Sequence, residues 1–243
     1  MSGNISIGIN NIATIPKKIY IGNANGIAKE ASAIYVGDSN NIARKVWPQN
    51  DFIYQYVDYI VPYAQGAYIN TNIIPTENTI VFVYFTLVSA TSTNFFGSES
   101  NSSTQFGTSF STRKPIVYFA STYTSLTAIS INTKYLLSFN NYTINYTHDF
   151  NIGSATRTIS STFGTSTKPL ILFGYNKDKP TYTKNVKIHS FKILEKNVLL
   201  RNYYPCYRTT DGEIGMYDEV SKTFFPNEGI SYFIKGSDIA NPQ

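Results

Sequence analysis

Lys187-Ile-His-Ser-Phe-Lys-Ile-Leu-Glu195, continued by Lys196-Asn-Val-Leu-Leu-Arg201, is the stretch on which the fold turns. A strand sends successive side chains to opposite faces, so Ile188, Ser190, Lys192 and Leu194 fall on one side and Lys187, His189, Phe191, Ile193 and Glu195 on the other. The alternation predicts a strand with one packed face and one partly wet face. Ile80-Val-Phe-Val-Tyr-Phe-Thr-Leu-Val88 reads differently, because it is apolar at odd and even positions alike, which predicts a central strand sandwiched between layers.

Outward from these two, aromatic or β-branched segments alternate with turn clusters from Phe52 to about Lys235, at the spacing of a sandwich. Strands are predicted over 54–60, 67–70, 79–88, 116–119, 134–139, 142–147, 155–159, 170–175, 184–194 and 198–204. The Ser/Thr/Asn-rich stretch 91–112 contains Phe95, Phe96 and Phe106, which need burial, so it predicts strands joined by a flexible polar loop around 98–104. Composition agrees with an all-β chain: among 243 residues there are 20 Tyr and 16 Phe, while only 14% are charged.

The first fifty residues carry a repeat. Ile19-Tyr-Ile-Gly-Asn-Ala-Asn-Gly-Ile-Ala-Lys29 is echoed by Ile34-Tyr-Val-Gly-Asp-Ser-Asn-Asn-Ile-Ala-Arg44, and Ile5-Ser-Ile-Gly-Ile-Asn-Asn-Ile-Ala13 is an earlier, shorter copy. In each, an apolar strand runs into glycine and asparagine, which tolerate the positive φ of tight turns, and a second strand begins at Ile-Ala, so each unit reads as a β-hairpin. A lone hairpin is marginal in water, and such units are expected to stack on one another, on the next domain or on a partner chain. Trp47-Pro-Gln-Asn-Asp51 reads as a linker, which gives a repeat segment over 1–50 and a second domain over 51–243.

Several chemistries are excluded or disfavoured. The formal charge of +5 is spread singly and in pairs such as Lys17-Lys18 and Arg44-Lys45, without the basic run of a nucleic-acid binder. The single cysteine, Cys206, rules out an intramolecular disulfide framework and a thiolate zinc site, and is expected to be buried and unreactive. The N-terminus lacks the basic start and apolar run of a secretory signal, and nowhere do 18 apolar residues follow one another, so a cytoplasmically made product without membrane insertion is expected. No Gly-x-Ser-x-Gly elbow occurs. His148 and Asp149 are adjacent in a strand and should diverge, while His189 sits mid-strand; both read as structural histidines. The dense acidic area from Asp211 to Glu219 is interrupted by glycine and suits turns better than paired catalytic acids. Asn176-Lys-Asp178 and Asp211-Gly-Glu213 offer oxygens to calcium, yet are the residues hairpin turns require. Catalytic, cofactor and metal residues are therefore expected to be absent. Tyrosine, whose flat amphipathic ring stacks on sugars or proteins, is the residue with most binding potential, although its abundance locates no site.

Four stretches resemble the concanavalin A-like, laminin-G-like jelly rolls of phage and prophage structural proteins and gut-bacterial surface proteins. They are Tyr59-Ile-Val-Pro-Tyr-Ala-Gln-Gly-Ala-Tyr-Ile-Asn-Thr-Asn-Ile-Ile-Pro75; residues 79–86 with Phe95-Phe-Gly97; Lys168-Pro-Leu-Ile-Leu-Phe-Gly-Tyr-Asn176; and the closing run of Lys187–Arg201, Tyr204-Pro-Cys-Tyr207, Asp211-Gly-Glu-Ile-Gly-Met-Tyr-Asp218 and Phe224-Phe-Pro-Asn-Glu-Gly229. Met216 stands where the family pattern has leucine, and Asn197-Val198 where it has Asn-Gly. The N-terminal repeats are similar to those preceding such domains in phage tail and head-fibre proteins. The resemblance implies an all-β protein in which N-terminal β-hairpin repeats precede an antiparallel concanavalin A-like jelly-roll sandwich. It also implies a non-enzymatic virion component, made in the host bacterial cytoplasm, that meets other virion proteins through residues 1–50, forms a homo-oligomer and contacts a protein or host-surface glycan. A carbohydrate-binding module of a bacterial surface protein is the alternative. No catalytic or ligand residue is carried over, because sites differ among members of one fold.

Overall fold

The computed structural model describes residues 20–22, 28–30, 34–37, 43–47, 53–140, 143–148, 157–158, 162–178, 180–240 and 242; side chains are not described in the first four of these segments, nor at 143, 144, 146–148, 157 and 158. The chain divides into two compact units, Met1–Ile53 and Tyr54–Gln243.

In the first unit β1 (Tyr20–Gly22) pairs antiparallel with β2 (Ala28–Glu30), and β3 (Ile34–Gly37) with β4 (Ala43–Trp47). Gly22 faces Ala28 and Ile21 faces Lys29; in the second pair Gly37 faces Ala43 and Val36 faces Arg44. The sequence repeat is thus also a repeat of register. Trp47, expected in the linker, lies instead in β4 opposite Ile34. The earliest repeat copy, residues 5–13, lies outside the described residues.

The second unit begins with β5 (Tyr54–Tyr56), β6 (Ile60–Pro62), β7 (Ile69–Asn70), β8 (Thr79–Leu87) and β9 (Thr93–Ser98). It continues through β10 (Gln105–Ser111), β11 (Lys114–Ala120), β12 (Thr122–Ser125), β13 (Lys134–Phe139), β14 (Thr143–His148) and β15 (Arg157–Thr158). Then come β16 (Ile171–Leu172), β17 (Gly174–Tyr175), β18 (Thr181–Tyr182), β19 (Val186–Glu195), β20 (Val198–Arg208), β21 (Ile214–Asp218), β22 (Thr223–Pro226) and β23 (Phe233–Lys235). These form a six-stranded sheet in the order β12-β11-β10-β9-β16-β7 and an eleven-stranded sheet along β15-β14-β13-β8-β19-β20-β21-β22, with β5 beside β20 and β6 between β19 and β23. β17 and β18 form their own ribbon, and the strand pairings are antiparallel. Among the described residues the one helical element is the 3-10 turn Ser102–Thr104.

The two sheets share one apolar core. Val81, Val83, Phe85 and Leu87 of β8 and Val186, Ile188, Phe191 and Ile193 of β19 face Phe95, Phe96, Phe106, Phe110 and Leu172 of the smaller sheet. Rings meet across the interface at Phe85–Phe95 (4.8 Å), Phe96–Phe191 (5.2 Å) and Phe106–Phe139 (4.7 Å). Truncating one such ring costs about 3–5 kcal/mol, so this layer dominates stability.

Four expectations need correction. β8 is central, between β13 and β19, but its outer face is covered only in part: Ile80 and Phe82 are half-buried and Tyr84 is exposed, while Thr86 is buried. In β19 the register shifts between Ile188, opposite Phe85, and Ser190, opposite Tyr84, so His189 is the extra residue of a bulge. The bulge reverses the phase, and Ile188 joins Phe191 and Ile193 in the core instead of sharing a face with Ser190 and Lys192. The expected strand 54–60 is two strands, because the chain leaves β20 after Tyr56 and joins β19 at Ile60; 170–175 is likewise broken by Phe173, whose φ is 65°. Finally, 98–104 is no loose loop: Asn101 Oδ1 accepts the Ser103 amide, and Thr104 Oγ1 accepts the amides of Ser100 and Asn101. The β19–β20 turn is Lys196-Asn197, both with positive φ, while Val198, aligned with the glycine of Asn-Gly, lies outside the turn and pairs with Glu195 as the first residue of β20.

Candidate functional site

β6 and β23 pair through Val61↔Ile234 and Pro62↔Phe233, and the Tyr63 amide donates to Tyr232 O at 2.9 Å. Period-two geometry turns Ile60, Pro62 and Phe233 inward, where they are buried, and leaves Tyr59, Val61, Tyr63, Tyr232 and Ile234 on the outer face. Tyr63 and Tyr232 stack at 4.6 Å and 12° between planes, yet remain 58% and 55% exposed. At the far end of the row Ile230 is 99% exposed.

This surface rests on a firm frame. Asn227 Oδ1 accepts the amides of Tyr68 (3.0 Å) and Gly229 (2.9 Å), its Nδ2 donates to Gly229 O and Ser231 O, and the Ile230 amide donates to Gly66 O at 2.9 Å. The two loops approach so closely that a Cβ on Gly229 would lie 1.6 Å from Gly66 O, which is why glycine is required there. At the other end Tyr59 lies over Gly236, where a Cβ would come within 2.8 Å of its ring, and Lys187 Nζ sits 4.1 Å from the ring centroid.

Beyond Tyr59 the band continues onto the sheet through the bulged His189. Its ring contacts Tyr59 (5.8 Å) and Tyr84 (5.3 Å), and Leu136, opposite Tyr84, is exposed. His189 Nδ1 lies 2.7 Å from Asp58 O and 3.2 Å from Asp58 Oδ1, two acceptors that place the proton on Nδ1. Nε2 then accepts from the Thr86 hydroxyl at 3.0 Å. Burial lowers the His189 pKa, with Lys134 adding to the effect and Asp58 opposing it, so the ring is neutral at pH 7. Burial pushes the Asp58 carboxyl up, but the Lys134 ammonium at 3.0 Å and His189 outweigh it and hold the carboxyl below its ordinary value.

Thr86, His189 and Asp58 follow the order of nucleophile, base and orienter. The Thr86 hydroxyl, however, is buried near the end of a central strand, and that strand is laddered on both sides, to Lys134 and Lys187. Backbone amides committed to two ladders do not turn toward an oxyanion. What the arrangement does is fix the carboxylate of Asp58 from below while its upper side meets solvent.

The other sequence candidates serve turns or the interior. Asn176 Nδ2 donates to Pro169 O, and Asp178 pairs with Lys168. Asp211 accepts the Glu213 amide across Gly212, and Arg208 binds both carboxylates. Cys206 is buried, and burial pushes its thiol up to about 12. His148 lies in β14 opposite Tyr135; Asp149 is outside the described residues. No three His, Cys, Asp or Glu side chains cluster to hold a metal among the described residues, nor is any helix there long and apolar enough to cross a membrane. The band itself was missed, although Tyr59-x-Val-x-Tyr63 and Ile230-x-Tyr-x-Ile234 both alternate with period two.

No family model matches the chain, and no curated protein matches its sequence. A solved structure to which it is similar in part is a mutant of Trypanosoma rangeli sialidase displaying trans-sialidase activity, at 12% identity and a TM-score of 0.36 over 51% of this chain and 21% of that one. The chain spans about a fifth of that structure's length, and so partial a likeness assigns it neither fold family nor activity. The class defined by the residues themselves is an all-β protein with two antiparallel sheets around one core and an aromatic band on its outer surface.

Proposed function

We propose that this chain is a non-enzymatic structural component of a bacteriophage virion, anchored by its N-terminal hairpin repeats and displaying a concanavalin A-like jelly roll for protein or host-glycan contact. The observation that carries the reading is the repeated register of β1–β2 and β3–β4. Two equivalent hairpins in sequence present equivalent edges to a partner, which suits an attachment segment stacked against other virion proteins or further copies of itself. The jelly-roll reading draws on the crossovers that set β8 beside β19 and β9 beside β16. The non-enzymatic reading draws on the enclosed Thr86 and on carboxylates engaged in turns. The site of action is the virion, after synthesis in the host bacterial cytoplasm.

Light scattering on the chain with and without residues 1–50 tests attachment. Assembly of the full chain with a folded, monomeric remainder supports it; monomers in both cases count against it. A carbohydrate-binding module of a bacterial surface protein is a second reading, favoured by the aromatic band, and it predicts monomers in both.

A further inference from the structure

The sheet end of the aromatic band differs chemically from its ribbon end. At the ribbon end the exposed large side chains are those of Tyr63, Tyr232, Ile234 and Ile230. Around Tyr84 and Tyr59 they alternate with charge: Asp58 and Lys134 form a 3.0 Å pair in which both side chains keep roughly two fifths of their surface open, at 37% and 41%. Lys134 Nζ lies 5.8 Å from the Tyr84 ring centroid, and Lys187 Nζ lies 4.1 Å from that of Tyr59.

An exposed ion pair of this kind contributes little to stability, because solvent and salt screen it and two long side chains must be held in one geometry. The frame beneath it is nevertheless elaborate. A β-bulge turns His189 outward, the neutral imidazole is pinned by Thr86 Oγ1 on one side, and its other nitrogen holds both the main-chain oxygen and the carboxylate of Asp58. Bulges beside sites commonly re-aim a side chain in this way. The result is a carboxylate acceptor and an ammonium donor set next to two tyrosine rings, held in place before any ligand arrives.

We infer that Asp58, Lys134, Tyr84 and Tyr59 form a binding subsite for a pyranose unit of a glycan. The aliphatic C–H face of a pyranose packs on an aromatic ring, and vicinal hydroxyls need a donor and an acceptor side by side, which the Lys134–Asp58 pair supplies. A protein partner would draw on the apolar ribbon end instead, where Tyr63, Tyr232 and Ile230 offer large rigid contacts and little charge. The subsite rests on the reading of the second unit as a display domain that meets host glycans.

The experiment is binding of the full chain to immobilised oligosaccharides built from hexose, N-acetylhexosamine and hexuronate units. The expected result is retention on at least one of them, weakened about tenfold or more by Tyr84→Ala and by Asp58→Ala and unchanged by Tyr63→Ala, a tenfold loss being about 1.4 kcal/mol. Tyr84→Phe keeps the ring and should bind within about threefold of the parent. If an alanine variant loses its cooperative melt, ring resonances in the unmodified protein decide: movement of Tyr84 and Tyr59 on sugar addition supports the subsite, and movement confined to other tyrosines overturns it. No retention on any glycan, or retention indifferent to both alanine variants, also overturns it. The attachment test reads mass without sugar, so loss of the subsite leaves the virion reading standing.

Discussion

Gly97 of β9 and Gly107 of β10 are register partners in the smaller sheet, and the ring of Tyr175 fills the space over Gly97. A Cβ on Gly97 would fall 2.3 Å from that ring; on Gly107, whose φ is +149°, it would fall 2.3 Å from Phe96 O. Overpacking of this sort costs about 1–3 kcal/mol, more where the neighbour is backbone that cannot turn aside. Gly107→Ala should therefore lower the urea midpoint more than Gly97→Ala. Gly212→Ala, with nothing within 4 Å but a φ of +76°, should cost about 1–2 kcal/mol from backbone strain alone. Equal midpoints for the three would argue against the packing described.

His189 gives stability a dependence on pH. Its pKa in the folded protein lies below the ordinary value of 6.5, so the unfolded chain binds more protons between the two values and stability rises with pH there. Its contribution is complete above about pH 6.5 and is lost as pH falls through that value toward the folded pKa. Melting temperatures measured from pH 7.5 downward should decline in this window, and His189→Gln should flatten the decline. An unchanged slope in the variant would place the titrating group elsewhere.

Alternation and aromatic content made most of the strand skeleton legible, including both polar-stretch strands that Phe95 and Phe106 demanded. The phase of β19 was not legible, because a bulge is a property of a pair of strands: only the partner β8 reveals that Ile188 and Ser190 are separated by one surplus residue. The apolar outer face of β8 misled for a related reason. Ile80, Phe82 and Tyr84 look like core, and nothing within the stretch says which face of the sheet is covered. The site was hidden by distance in sequence, since Asp58, Tyr84, Lys134 and His189 come from four separate segments.

Cys206 should resist thiol reagents in the native state. Burial keeps the proton on sulfur, and only the thiolate attacks. Labelling by an iodoacetamide should follow the unfolding curve in urea; fast labelling in buffer would contradict the burial.

The loop frame under the stacked tyrosines separates two kinds of substitution. Asn227→Ala removes bonds to both loops and should cost about 1–3 kcal/mol. Ile230→Ser, at a side chain in open solvent, should change stability by less than about 0.5 kcal/mol. Denaturant titrations of the two variants check the contrast.

The second unit opens and closes at one corner. Ile239 donates its amide to Tyr56 O at 3.0 Å, Gln55 Nε2 donates to Ile239 O at 2.8 Å, and Val57 bridges to Asp238. A domain whose ends meet in this way is a cassette. It can be lifted from one chain and set into a surface loop of another without stretching its frame, or cut and rejoined as a circular permutant. The same corner makes the unit easy to move between proteins, because an exchange needs only two neighbouring joints.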